Sequence, residues 1–241
     1  MTAPLESVAA VVLASRGGAR LARALESVAW AGERIVLDPA GRLGAEPLPG
    51  GVRWGCDPAA AAAPWLLLVE EHETVQPPLA AAIAGAVEAP AARAYRIAQE
   101  VIAFGTTLRL RRAPVRLALR AGARLRLRTG LTPELVQGGA RAPELPARLV
   151  TAGVPTLAAA VEELDAQAAT LAALLHARRV RPRLWHLVVP PLAASGRALV
   201  ARGPAGEFWG RWTLAVLGGY RALVAYAKLW ELRREEAAWR R

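Results

Sequence analysis

The chain has 241 residues, 54% hydrophobic and 21% charged, a balance that excludes a disordered polymer and fits one large domain with an appendage. Its net charge of +11 is carried almost entirely by arginine, Lys228 being the sole lysine; this favours phosphate-bearing partners, although GC-rich coding bias yields the same Ala, Arg, Gly and Pro excess. The single cysteine, Cys56, excludes an internal disulfide and reads as a buried small hydrophobe in a reducing compartment. Residues 1–7 lack the basic-then-apolar pattern of a signal peptide, and no run of about 18 uncharged apolar residues announces a spanning helix.

Ser7 to Leu13 is a β-branched apolar run, the pattern of a buried parallel strand. Gly17 and Gly18 end it, and Leu21, Leu25 and Val28 mark a helix over Ala19 to Val28. Arg34 to Leu37 is a second strand, stopped by Asp38-Pro39, which completes a βαβ unit. Asp38 therefore falls at a strand's C-terminal end, where open α/β sheets bind ligands. Val52 to Trp54 reads as a short strand and Trp65 to Glu70 as a clearer one. Pro77-Pro78 then opens a helix through Leu79, Ile83 and Val87.

Residues 93–148 hold twelve arginines against three acids, Glu100, Glu134 and Glu144. Arg124, Arg126 and Arg128 alternate with Leu125 and Leu127, so a half-buried strand with one arginine face is expected, either solvated or ligand-binding. Thr156 begins a long helix to about Arg179 with an apolar stripe of Leu157, Val161, Leu164, Leu171, Leu174 and Leu175. Pro190-Pro191 interrupts the next segment, and a final helix runs from about Glu207 past Leu232. His176 and His186 have no ligand-like neighbours at metal spacing and read as packing or surface residues.

Three stretches, taken together, resemble one family. "LESVAWAGERIVLD" (Leu25 to Asp38), "WLLLVEEHETVQPPLAAAI" from Trp65 and "RGPAGEFWGRWTLAVLGGYRALVAYAKLWEL" from Arg202 are similar to the family 2 glycosyltransferases of the lipopolysaccharide-core type. Weaker likeness lies at Ala94 to Ile97 and Arg116 to Arg124. The resemblance implies an α/β GT-A fold in residues 1–150, with a mixed, mainly parallel sheet flanked by helices. Residues 151–241 would form a helical extension that meets a membrane or a partner. The implied activity is transfer of a sugar from a nucleotide-sugar donor to a lipid-linked or cell-envelope acceptor, in the cytoplasm at the inner face of the membrane.

By that likeness Glu70 and His72 stand where the family carries a metal-binding Asp-x-Asp, and would hold Mn²⁺ or Mg²⁺ against the donor diphosphate. Residues i and i+2 of a strand point the same way, which explains the spacing and puts Glu71 opposite. Asp38 would face the nucleotide, and Glu134 is the candidate general base toward an acceptor hydroxyl. The sequence departs from the pattern at these points. Pro39 to Gly44 lacks the second loop acid, and Ser15-Arg16-Gly17-Gly18 replaces the usual asparagine and acids after the first strand. An exposed acidic strand end, a turn aspartate and a surface-loop glutamate explain the same residues without function. The alternative function is therefore an inactive homologue serving as a membrane-surface scaffold or partner protein, as a homo- or hetero-oligomer.

In the tail, Trp209, Trp212, Tyr220, Tyr226 and Trp230 interleave with Arg211, Arg221 and Lys228. Rings with cations on one helix suit an anionic bilayer interface through residues 207–232, or else packing on the protein's own core. Nucleic acid is the weaker partner expectation, because no recognised module or stacking platform accompanies the arginines.

Overall fold

The computed structural model describes residues 5–43, 47–55, 57–103, 106–109, 113–128, 131–138, 142–151, 156–200 and 208–239. Cys56, part of the loop after Asp38 and Arg202 to Glu207 lie outside them. The chain is an α/β protein with a large mixed, curled sheet, helices packed on it and a long C-terminal helix.

The first half follows the expected βαβ order. Strands β1 (Leu5–Leu13), β2 (Ala31–Leu37), β3 (Val52–Gly55) and β4 (Trp65–Glu70) pair in parallel in the order β3-β2-β1-β4. Leu13 is level with Leu37 on one side and Glu70 on the other. The C-terminal ends of β1, β2 and β4 thus share one edge, and the crevice where the chain order reverses lies beside β1 and β4. One face of the sheet is covered by α1 (Gly18–Ser27) and α2 (Pro77–Glu88), whose Leu21, Leu25, Leu79, Ile83 and Val87 join its core. The four strands read as apolar runs because both faces are buried.

The second half is not mainly parallel. Strands β5 (Glu73–Val75), β6 (Ala94–Ala103), β7 (Thr106–Arg109), β8 (Val115–Leu119) and β11 (Glu144–Thr151) extend the sheet, and only β6 and β11 pair in parallel there. Among the described residues, four of the eight pairings in the large sheet are antiparallel. β5 follows β4 after two residues yet pairs with β11, at the far end of the path β4-β8-β6-β11-β5. The sheet therefore curls back on itself around the ends of β4 and β5. Strands β9 (Arg124–Arg128) and β10 (Thr132–Val136) form a separate hairpin, and Leu125 and Leu135 pack on the other face of the large sheet.

The remaining elements are helical: 3-10 turns at Pro58–Ala60 and Leu184–Leu187, and the helices α3 (Leu157–Ala177), α4 (Val189–Leu199) and α5 (Phe208–Trp239). Pro190 and Pro191 open α4 rather than interrupt a segment, as prolines do where the first-turn N–H groups have no partner anyway. The expected stripe on α3 is rotated in its first turns. Leu157 and Val161 are exposed, and Ala160, Glu163, Gln167 and Thr170 face inward. Hydrophobic spacing misplaced this face because polar side chains fill the buried positions, each with a partner described below. α4 crosses α5 at close range, where a Cβ on Gly219 would stand 2.5 Å from Ser195 Oγ. The Ser195 hydroxyl donates to Ala215 O at 2.8 Å across the same crossing.

Candidate functional site

The strand edge expected to carry the chemistry is built from the ends of β1, β4 and β5 with α3 laid across them. Glu70, His72 and Glu73 bring ligand atoms within 4.8 Å of one another, a spacing compatible with a metal ion. Glu70 and Glu73 are buried and His72 is partly buried. Glu70 and His72 converge as strand parity predicts, although His72 lies in the turn after β4. Glu73 was missed in the sequence, because its place at the curl depends on β5 pairing with a strand far along the chain.

The donor set is already engaged by the protein's own groups. Arg116 on β8 has no exposed surface, and its Nη2 donates to Glu70 Oε1 at 2.6 Å and to Glu73 Oε1 at 3.1 Å. Gln99 on β6 also donates to Glu73 Oε1, and Glu70 N donates to Glu73 Oε2 at 2.8 Å. His72 Nδ1 lies 3.3 Å from Gln167 Nε2 on α3. Burial raises the Glu70 pKa, but Arg116, then His72 and Arg221, outweigh it and hold Glu70 below its usual range. Burial would likewise lower Arg116, yet Glu73 and Glu70 hold it above its ordinary value. A divalent ion bound at this spacing would have to displace a buried guanidinium already paired with both carboxylates, which stands against a resident metal in this arrangement. The volume agrees. The crevice between Leu13, Ser15, Glu70, His72 and Gln167 measures about 10 Å³, room for one water-sized guest and none for a diphosphate.

The loop after β1 is filled in the same manner. Gly17 and Gly18 adopt φ of 75° and 67°, a left-handed region open to residues without Cβ. This bend turns three successive amides toward one point. Glu71 sits there: its carboxylate accepts from Ser15 N at 2.8 Å, Arg16 N at 2.9 Å and Gly17 N at 3.1 Å, and from the Ser15 hydroxyl at 2.6 Å. Such a nest ahead of a helix N-terminus is a general anion-binding shape. Here the anion is the protein's own.

α3 seals the edge with its inward polar stripe. Glu163 pairs with Arg20 at 2.7 Å, Gln167 Nε2 donates to Glu163 at 3.1 Å, and Thr170 donates to Ala14 O at 3.3 Å. Arg221 on α5 donates to Gln167 Oε1 at 3.1 Å. Burial lowers its pKa, partly opposed by Glu70.

The other expected site residues fall elsewhere. Asp38 stands at the end of β2 on the same edge, its Oδ2 accepting from Leu43 N at 2.8 Å as a turn aspartate does. Glu134 is not in a surface loop. It lies on β10, nearly buried, 3.3 Å from Arg126 Nη2, and contributes charge felt by Arg116 and Arg197. His186 stacks between Trp185 at 3.8 Å and Tyr226 at 4.8 Å, and accepts from Arg183 N at 2.9 Å. His176 lies 3.8 Å from Glu236. Neither histidine joins the cluster.

Beside the closed crevice, Arg16, Arg42, Glu162, Asp165 and Tyr220 line an open groove of about 610 Å³. On the helical side, every exposed large hydrophobic of the described residues except Ile102 lies between Leu157 and Leu232. Trp209, Trp212, Val216, Tyr220, Leu223 and Trp230 follow helical spacing down α5, whereas Tyr226 is buried. No helix among the described residues is long and apolar enough to cross a membrane. Compared with protein-family models and with characterised proteins, the sequence matches none.

Proposed function

We propose that this chain is a non-catalytic relative of the GT-A nucleotide-sugar transferases that serves as a scaffold on an anionic membrane surface. The observation that carries this reading is Arg116, whose guanidinium bonds the two carboxylates that would otherwise hold a metal and a donor diphosphate. Glu71 in the amide nest and the crevice of about 10 Å³ support it from the neighbouring strand end. The membrane half of the reading rests on the exposed rings along α5 and the net charge of +11. The protein would sit at the cytoplasmic face of the inner membrane, held by interfacial burial.

Flotation of the whole chain with vesicles tests the membrane half. Vesicles with anionic lipid should carry it up the gradient, neutral vesicles should not, and salt should weaken the effect. Equal flotation with both vesicle types, or none with either, would sink it.

A second reading, a metal-independent sugar transferase, is favoured by one observation. The open groove has the volume of a ligand pocket and presents Arg16 and Arg42 near the ends of β1 and β2. In that case nucleotide diphosphates should bind without added metal, and Arg16→Ala with Arg42→Ala should abolish the binding.

A further inference from the structure

The segment joining α3 to α4 carries cations and exposed apolar side chains together. Between Asp165 and Glu207 the sequence contains no acidic residue. Within that span Arg178, Arg179, Arg181 and Arg183 are all exposed, and they lead directly into exposed Leu184, Trp185, Leu187, Val188 and Val189, with Leu192 one turn on. Leu184 is 85% exposed and Val188 55%. A cluster of cations bordering a cluster of exposed apolar side chains pairs two attractions: one toward phosphate headgroups, the other toward acyl chains just beneath them.

The projection is firmly mounted. At the C-terminus of α3, Arg179 N donates to His176 O at 2.8 Å and Val180 N donates to Leu175 O at 3.1 Å. This is the glycine-type helix stop, yet the left-handed position at φ 57° is occupied by Arg179. The chain therefore accepts backbone strain at a place where glycine would remove a charge. Beyond it, the stack Trp185–His186–Tyr226 ties the 3-10 turn to α5. Burial, then the nearby Arg183 charge, lowers the His186 pKa despite the bond from the Arg183 amide. The shift favours the neutral ring, whose Nδ1 accepts from the Arg183 amide at 2.9 Å.

We infer that residues 178–192 form a second membrane-insertion point, a basic and apolar knuckle that enters an anionic bilayer independently of the aromatic stripe on α5. The inference rests on the membrane half of the proposed function and adds a surface to it. An anionic bilayer is the occupant that matches both halves of the patch, since a protein partner would need a matching acidic rim as well as an apolar centre. Each arginine removed from the knuckle should weaken partitioning to anionic vesicles about fivefold.

The test uses the full chain with Cys56→Ser, so that one introduced cysteine carries an environment-sensitive dye. The dye is placed at Val188→Cys and, as control, at exposed Glu88→Cys on α2, which covers the opposite face of the sheet. Both sites are exposed, so neither substitution removes core packing. With anionic vesicles the dye at residue 188 should shift to the blue and be quenched by lipids labelled in the acyl chain, while the dye at 88 stays wet. Arg181→Gln and Arg183→Gln together should lower partitioning about 25-fold if the two effects multiply. If the protein floats but the dye at 188 stays wet, the knuckle is refuted and membrane attachment through α5 stands. If the protein never floats, both fail. A blue shift without lipid that grows with protein concentration would mean a second copy covers the knuckle, and an unchanged shift when a single-stranded oligonucleotide replaces vesicles would mean nucleic acid does; either overturns the inference.

Discussion

Replacing Arg116 with methionine keeps an unbranched apolar stem and removes the guanidinium with its charge. Glu70 and Glu73 would then face each other across the curl with only Gln99 and backbone as neutral donors. Breaking a buried pair by removing one partner costs about 3–5 kcal/mol, because the charge left behind is desolvated and uncompensated. Arg116 serves two buried carboxylates, so the upper end applies; for a chain of this size that lowers the melting temperature by roughly 10–20 °C. The loss should shrink on acidification. In the natural protein Glu70 is held below 4.5, so its contribution to stability is present above that pH and is lost as pH falls through the lowered value. In the variant Glu70 keeps its burial and loses Arg116, so its carboxyl is pushed up, and protonating it relieves the folded state as pH falls. Urea unfolding of both proteins at several pH values reads this directly. The variant also vacates a two-carboxylate site, so Mn²⁺ should raise its melting temperature and leave that of the natural protein unchanged. A loss below about 1 kcal/mol, constant with pH, would show that Arg116 does not neutralise this pair.

Glu71→Ala removes a carboxylate that accepts from four donors of the β1–α1 loop, and should cost roughly 2–4 kcal/mol in urea unfolding with protection lost first at the amides of Arg16 and Gly17 by hydrogen exchange. Gly219→Ala drives a methyl to 2.5 Å from Ser195 Oγ and should destabilise by about 1–3 kcal/mol, an effect that adding Ser195→Ala largely reverses. The His186 ring, with its pKa lowered from 6.5, stays neutral in the fold where the unfolded chain takes up a proton; stability should therefore decline as pH falls below 6.5, and the ring resonance should titrate below that value by NMR.

The parallel half of the fold was legible because its signals are local. The apolar runs of β1, β2 and β4 and the Leu79–Ile83–Val87 spacing of α2 each report their own burial. Glu70 and His72 were singled out by the family resemblance, strand parity accounting for their shared direction, and Asp38 was placed by the turn that ends β2. What defeated the sequence was long-range. Glu73 joins the cluster only because β5 pairs with β11, and Arg116 is 46 residues from the Glu70 it neutralises. In a segment with twelve arginines, nothing marks Arg116 as one that turns inward. On α3 the buried stripe is polar, so a hydrophobic count points to Leu157 and Val161 instead of Glu163 and Gln167. Glu71 was read as pointing away from the site, which it does, and its partners are amides that carry no side-chain signal.

Isothermal titration calorimetry of the whole protein with uridine, guanosine, cytidine and adenosine diphosphates, each in the presence of Mn²⁺, addresses the central claim most directly. With Arg116 on the strand-end acids and Glu71 in the amide nest, no diphosphate should give a saturable heat. A saturable, Mn²⁺-dependent isotherm that Glu70→Gln abolishes would contradict the account and restore a working donor site.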